Sequence, residues 1–444
     1  MPVVSTFSSL STRGFASSGT TILPGGQYIT NFTNAFPVGV VVDNLYNSYV
    51  VFTGTGDMTF AILNNNGNVV TQQTSNSSYG SSCITIDNSG NFYLGGSTSN
   101  TSYPLISKFS SATSGLGAGT LIWSKEFVAG SQQVESIQTD TTGNIFVLSG
   151  DGTDGKPSSG YNYFLSKFDT NGNIINQRKV LKSTTSSALS LGIDNSTSQI
   201  IVSGTDYAVS NHSAIFNGLY DFNNTSVNNV VYTQSTGTAN VFYNADIGNN
   251  KIVSDASALY QIATRYVSGI TYHEYMRTDK STGSVTYSNY LTVGGSNLYL
   301  GGIAYGNGYL YILGSTAYVS GVIYIAKVNP SDGTFVWQKT LRNSTGTYTH
   351  IVNGIYYYNG FIYFNASFLS SYGLTIKLKD DGSLPDGTYG GFYTFATVSA
   401  TVTSLNTSNT SITTDSTSTT SYSILSPSIT MASSSYTVST TAIP

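Results

Sequence analysis

The chain has 444 residues, of which only 9% are Asp, Glu, Lys or Arg, and it carries a net charge of −4 with a pI near 5.3. A typical globular chain is about 25% charged, so this surface must be solvated mainly by hydroxyls and amides, and with no Lys/Arg cluster it offers no field for nucleic acid. One cysteine and three scattered histidines exclude an intrachain disulfide and the usual Cys/His zinc clusters.

The first 34 residues read as an N-terminal arm. "MPVVSTFSSLSTRGFASSG" lacks the basic flank and apolar core of a signal peptide, and no stretch of the chain reaches the ~18 apolar residues of a membrane span. "TTILPGGQYITNF" has the alternation of a strand, and it would serve either to close a sheet or to attach the protein to something else.

From residue 35 to 394 one pattern recurs. An apolar strand, an Asp/Asn/Gly turn and a second apolar strand ending in small residues appear as "GVVVDNLYNSYVVFTGT", "CITIDNSGNFYLGGST", "SIQTDTTGNIFVLSG" and "LGIDNSTSQIIVSGT", then more loosely as "NADIGNNKIVSDAS", "IAYGNGYLYILGST" and "IYYYNGFIYFNAS". The turns centre near Asn44, Asn88, Thr142, Asn195, Asn249, Asn307 and Asn359. A second hairpin follows each first one, with Gly67, Gly172, Gly283, Gly333 and Gly382 placed where a tight turn needs positive φ. The segment Gly119-Thr120-Leu121-Ile122-Trp123-Ser124-Lys125 matches Gly333-Thr334-Phe335-Val336-Trp337-Gln338-Lys339, so the two tryptophans are copies of one repeat position.

Four strands in about 45–60 residues is the unit of a β-propeller blade. The predicted fold is therefore all-β, a propeller of seven four-stranded blades, with residues 238–291 as the least regular blade. A linear solenoid would show shorter periods, and stacked sandwiches would not keep this register. Residues 395–444 form a Ser/Thr-rich tail with one acid, Asp415, and no base. Its recurring Thr, Val, Ile and Tyr favour strands over the high charge typical of disorder, and the expected partner is the tail itself or another chain.

Catalytic chemistry finds little material. The glutamates Glu126, Glu135 and Glu274 and the histidines His212, His273 and His350 fall in different units. Most aspartates, among them Asp87, Asp140, Asp169, Asp194 and Asp332, sit in turns where the side chain caps its own backbone. His273 and Glu274 are adjacent and so point to opposite faces of a strand. No nucleophile elbow, HExxH helix or phosphate loop is present. No catalytic, cofactor or metal residue is predicted. "SGDGTDGKPSSG" at 149–160 could offer Asp151 and Asp154 to Ca²⁺, but without the alternating acids of a calcium loop it reads better as a surface loop. Cys83 reads as a buried strand thiol. In "IYYYNGFIYFN", alternation puts Tyr356 and Tyr358 on one face and Ile355 and Tyr357 on the other, as blade packing requires. Loop tyrosines Tyr103, Tyr161 and Tyr207 would suit docking to a sugar or protein.

The blade pattern "IDNSGNFYLGGST", then "SKF", a turn and Trp-Ser/Gln-Lys, together with the opening "SSLSTRGFASSG" and the Ser/Thr-rich tail, resembles repeat-bearing virion structural proteins of tailed phages, especially those of marine cyanobacteria. The resemblance implies a non-enzymatic component of a tail, fibre or capsid surface, localised to the virion; a homo-oligomer is a separate expectation. Its partners would be other virion proteins and a host-surface glycan or protein, with no cofactor, no nucleic acid and no membrane insertion. Similar blades occur in bacterial surface and secreted propellers, so an adhesin is the second expectation and a propeller glycan lyase or hydrolase the third.

Overall fold

The computed structural model describes residues 25–444 apart from 54–56, 76–78, 99–102, 129–132, 152–161, 182–185, 195–198, 210–211, 222–226, 236–240, 244–250, 268–269, 317–320, 344–349, 369–371, 392, 405–406, 412–415, 420–422, 426–428, 430 and 434–436. Side chains at the borders of several of these stretches are also left undescribed. Every regular element among the described residues is a strand.

Six blades follow one another along the chain, over residues 36–75, 79–128, 134–181, 186–235, 241–293 and 296–343, each a four-stranded antiparallel meander. Blade seven takes three strands from residues 350–379 and its fourth, Gln27–Thr33, from the other end of the chain. The first strand of each blade lies against the first strands of its two neighbours, and the order closes from blade seven back to blade one. The fold is a closed seven-bladed propeller. Blades five and six also share a link: the Gly294-Gly295 turn joins Val285–Val293 to Ser296–Gly306 and pairs Val293 with Ser296.

Turn chemistry dictates the meander. The glycines at 67, 172, 283, 333 and 382 all hold φ between +69° and +81°, a region that costs other residues about 1–2 kcal/mol. Asn307-Gly308 and Asn359-Gly360 pair two positive φ values each, the signature of the type I′ hairpin whose twist matches its strands. The inner strands share a device that the sequence pattern did not reveal. Six of them carry a register shift against their neighbour, at Val38, Ser82, Glu135, Leu189, Gly301 and Gly354, which bends the innermost edge of each blade. Blade five is the exception. Its inner strand is split into Val241–Tyr243 and Ile252–Ser254.

The apolar core is divided among the seams between blades. Tyr49, Val51, Phe60 and Ile62 of blade one meet Ile84, Phe92, Leu94 and Phe109 of blade two, and comparable clusters fill the other seams. The face assignment in the tyrosine run holds: Tyr356 and Tyr358 pack toward blade one, Ile355 and Tyr357 toward blade six. The seam between blades four and five has the smallest apolar cluster among the described residues. Ile201, Leu219, Ile252 and Leu259 form its described cluster, beside a buried hydrogen bond between Asn217 and Gln261.

The expectation that the tail pairs with itself or with another chain is corrected by its path. It runs back around the outside of the propeller, giving each blade a fifth strand: Tyr393–Thr397 to blade six, Thr401–Ser404 to five, Thr407–Ser411 to four, Ser416–Thr419 to three, Ser423–Leu425 to two, Met431–Ser433 to one and Val438–Ile443 to seven. The physical reason is that each fourth strand would otherwise leave a row of unpaired backbone groups. Seven open edges on the same molecule outcompete self-pairing.

Candidate functional site: the blade seams and the belted rim

Several aspartates of the inner and outer hairpins are consumed by their own turns. Asp43 Oδ1 accepts from the amides of Leu45 and Asn47, both at 2.9 Å, while Oδ2 accepts from Asn47 Nδ2 at 2.9 Å and Tyr49 Oη at 2.8 Å. Asp87 repeats the arrangement with Ser89, Asn91 and Tyr93, and Asp140 and Asp169 repeat its amide part. The turn-capping expected of Asp87, Asp140 and Asp169 is thus observed, and the spacing Asp-x-x-x-Asn-x-Tyr at Asp43 and Asp87 adds a tyrosine to the same carboxylate.

Several basic residues are engaged at the seams. Lys108 Nζ of blade two donates to Thr170 O in the outer turn of blade three at 2.8 Å, and Trp123 Nε1 reaches the same carbonyl at 3.2 Å. In blade six, Lys327 Nζ and Trp337 Nε1 converge in the same way on Asp380 O of blade seven, at 3.2 and 3.0 Å. Arg178 of blade three donates to Asp221 O of blade four at 2.9 Å, and Lys377 of blade seven to Asn65 O of blade one at 3.0 Å. At seam five to six Tyr275 Oη donates to Gly333 O in the outer turn at 2.9 Å, and Lys251 donates to Gly301 O on the inner strand of blade six. The turn glycine then rests on an aromatic ring of the preceding blade: Gly172 on Trp123, Gly382 on Trp337, Gly67 on Tyr28, Gly333 on Tyr287 and Gly119 on Phe60. These clasps give the tryptophans and lysines a packing role.

Lys377 is the most enclosed of these cations. It is fully buried, and its ammonium lies 4.6 Å from the centroid of Phe361 and 5.6–5.7 Å from those of Tyr28, Tyr46 and Tyr363. Four ring faces and one carbonyl replace its water at the seam where the ring closes.

No acid–base constellation assembles among the described residues. Glu135 stands at the inner-strand shift of blade three, 7% exposed, with Oε2 unpartnered, and burial pushes its carboxyl up to about 7. Glu274 is fully buried and accepts from Ser288 Oγ at 2.5 Å. His273 faces the other way and packs against Tyr299 of blade six, the rings tilted by 56° with centroids 4.7 Å apart; burial lowers it to about 3. Glu126 is half-buried on the outer strand of blade two. Cys83 is buried, its thiol pushed up to about 12. Among the described residues no three His, Cys, Asp or Glu side chains gather as a metal site.

Of the predicted contact tyrosines, Tyr103 is half-buried, and its backbone N–H donates to Thr98 Oγ1 at 3.0 Å. Tyr161, Asp154 and the side chains of Tyr207, Asp151, His212 and His350 lie outside the description. The rim supplies a feature that was not anticipated. Val70, Ile122, Ile175 and Val336 are exposed, each three positions after the turn glycine of its blade and outside the described pairing of the outer strand with the tail.

No protein-family model and no curated protein matches the chain. Solved structures do. A virginiamycin B lyase from Staphylococcus aureus, in a catalytically inactive form with quinupristin, aligns at 13% identity over 78% of this chain and 96% of its own, with a TM-score of 0.46. The β-propeller domain of the Trilobed protease from Pyrococcus furiosus aligns at 12% identity over 78% and 97%, with a TM-score of 0.47. An endosialidase of phage phi92 aligns at 10% identity over 82% and 71%, with a TM-score of 0.39. These proteins include enzymes, and similarity at this level transfers no activity. The chain is an all-β propeller protein of repeated blades, closed by its own first strand.

Proposed function

We propose that the protein is a non-enzymatic structural component of a virus particle, displayed on a tail, fibre or capsid surface. The observation that carries this reading is the circumferential tail. It commits the last 50 or so residues of the chain to closing every blade edge with a neutral, hydroxyl-rich strand. An enzyme needs its ring to hold loops over a site. A display module exposed to changing salt needs edges that neither fray nor join other sheets, and cohesion that does not rest on exposed ion pairs. The spending of the few charges on buried turn caps and seam clasps agrees with that need.

Of the arm and the tail, either of which would serve to dock a displayed propeller, the tail is set aside because its described strands belong to the blade sheets. Contacts with other virion proteins and with a host-surface glycan or protein fall instead to the faces of the disc and to the exposed aliphatic rim at Val70, Ile122, Ile175 and Val336.

The test is mass spectrometry of purified particles from the source, paired with electron microscopy using an antibody against residues 35–390. Stoichiometric abundance at one particle feature is expected. Absence from particles, with the protein found on cells or in the medium, overturns the reading in favour of an adhesin or secreted glycan-active propeller, which glycan arrays and depolymerase assays then separate.

A further inference from the structure

We propose that the tail is a lock on ring closure, and that its final strand, Val438–Ile443, is the bolt that holds the N-terminal strand in place.

Blade seven is the one blade built from both ends of the chain, so the ring opens most directly by loss of Gln27–Thr33. That strand is not left as an edge. It pairs on one side with Tyr372–Lys379 and on the other with Val438–Ile443, in register from Gln27 opposite Ile443 to Phe32 opposite Val438. The closing strand is therefore internal to a five-stranded sheet and cannot peel away until the last strand has gone.

The last strand is anchored in three directions. Ile443 is 4% exposed and shares a core with Ile29 of the closing strand. Thr440 Oγ1 donates to Gly67 O of blade one at 2.8 Å, and Thr30 Oγ1 reaches the same carbonyl at 3.0 Å, so both strands are tied to the blade beyond the joint. The third anchor is the start of the tail itself. The hairpin of Gly387–Tyr389 and Tyr393–Thr397 on blade six buries Tyr393 and Phe395 in the same core as Ile443, and its turn residue Gly390 lies against Thr441. The tail leaves this point, passes blades five to one in reverse chain order, and returns to it. Its two ends meet as a buckle beside the joint of the ring.

Between the ends the hold is different in kind. All four side chains of Thr401–Ser404 are exposed, so that strand is held mainly by its backbone pairing to blade five, with Ser404 Oγ donating to Asn289 Oδ1 at 3.0 Å. Among the described residues the buried large apolar side chains of the tail, Tyr393, Phe395 and Ile443, lie at the buckle, and Ile429 and Met431 pack partly buried against blades one and two. The edge that the bolt pairs with exists only after Gln27–Thr33 has docked, so the lock forms after the ring closes and should act on the rate of opening.

The experiment uses the full chain with Ile443→Ala, Ile443→Val and, as a control on the middle of the tail, Val402→Ala. Unfolding and refolding rates are read in denaturant, and amide exchange by mass spectrometry. Ile443→Ala is expected to speed unfolding about 25-fold and Ile443→Val about threefold, with refolding unchanged. Val402→Ala is expected to change unfolding by less than about twofold. Amides of residues 27–33 should lose protection together with 438–443. Equal acceleration by Val402→Ala, slowed refolding in the Ile443 variants, or exchange confined to 438–443 with 27–33 still protected, would each overturn the lock. Should Ile443→Ala fail to fold, Ile443→Val decides the matter by the same readings.

Discussion

If the turn glycines clasp the neighbouring blade, and do more than permit a turn, then two glycines with the same backbone angle must respond differently to a methyl group. Gly382 has φ +72° and a Cβ placed there would lie 2.7 Å from the Trp337 ring; Gly308 has φ +76° and would meet nothing within 4 Å. The left-handed conformation costs alanine about 1–2 kcal/mol at either site, reduced by about 0.4–1 kcal/mol through the stiffer unfolded chain. Gly308→Ala should therefore destabilise by about 1 kcal/mol. Gly382→Ala adds forced overpacking, about 1–3 kcal/mol, and disturbs the site where Trp337 and Lys327 share Asp380 O. Denaturant unfolding of both variants, followed by tryptophan fluorescence, measures the difference directly, and Gly382→Ala should also alter the emission of Trp337 in the folded state. Equal losses of stability in the two variants would refute the clasp and reduce the repeated glycine to a turn requirement.

Lys377→Met keeps most of the side-chain volume but leaves Asn65 O without its donor and four rings without their cation; a loss of about 2 kcal/mol is expected from the denaturation midpoint, and an unchanged midpoint would contradict the role given to that cage. Glu135 has a folded carboxyl pushed up to about 7 from an ordinary 4.5, so the folded state favours its protonated form. The resulting penalty is absent below pH 4.5, builds between 4.5 and 7 and is complete above, which predicts that Glu135→Gln gains on the wild type across that window, by about 3 kcal/mol at most. A stability difference that does not vary with pH over that window would show that Glu135 is ionised without cost. Cys83, buried with a thiol near 12, should resist a thiol reagent at pH 8 until the protein is unfolded in denaturant; rapid labelling of the native protein would show that the seam between blades two and three opens.

The blades were legible because their turns restrict residue type. A positive φ calls for Gly67, Gly172 or Gly382 whatever surrounds them, and the restriction repeats with every blade. The clasps were half legible. "SKF" and the paired tryptophans announced repeated positions, but the acceptors of Lys108 and Lys327 are main-chain carbonyls of another blade, and a carbonyl has no letter. The inner-strand shifts were hidden for a related reason: Val38, Ser82, Glu135 and Gly354 share a backbone geometry and no chemistry. The split inner strand of blade five, in turn, falls in the stretch whose repeat was hardest to trace, and at its seam with blade four Asn217 and Gln261 form a buried hydrogen bond beside Ile201, Leu219, Ile252 and Leu259.

The tail was the segment whose partner could not be foreseen, and the reason bears on how it works. Seven strands reading "YTFAT", "TVTS", "TSNTS", "STST", "SIL", "MAS" and "VSTTAI" have no side-chain pattern in common because what each must match is the same bare backbone edge. A tail built to read seven different side-chain surfaces would need seven different sequences, each able to misplace the register of the others. Neutral Ser and Thr avoid that, since they favour extended structure, tolerate water and repel nothing. Register must then be set elsewhere, at positions where a slip would expose a large apolar group. Among the described residues those positions are Tyr393 and Phe395 at the first strand, Ile443 at the last, and Ile429 and Met431 where the tail passes blades one and two. Anchoring a permissive strap at a few apolar positions and leaving the stretches between them to backbone pairing lets one segment of chain close seven edges with few registers to find.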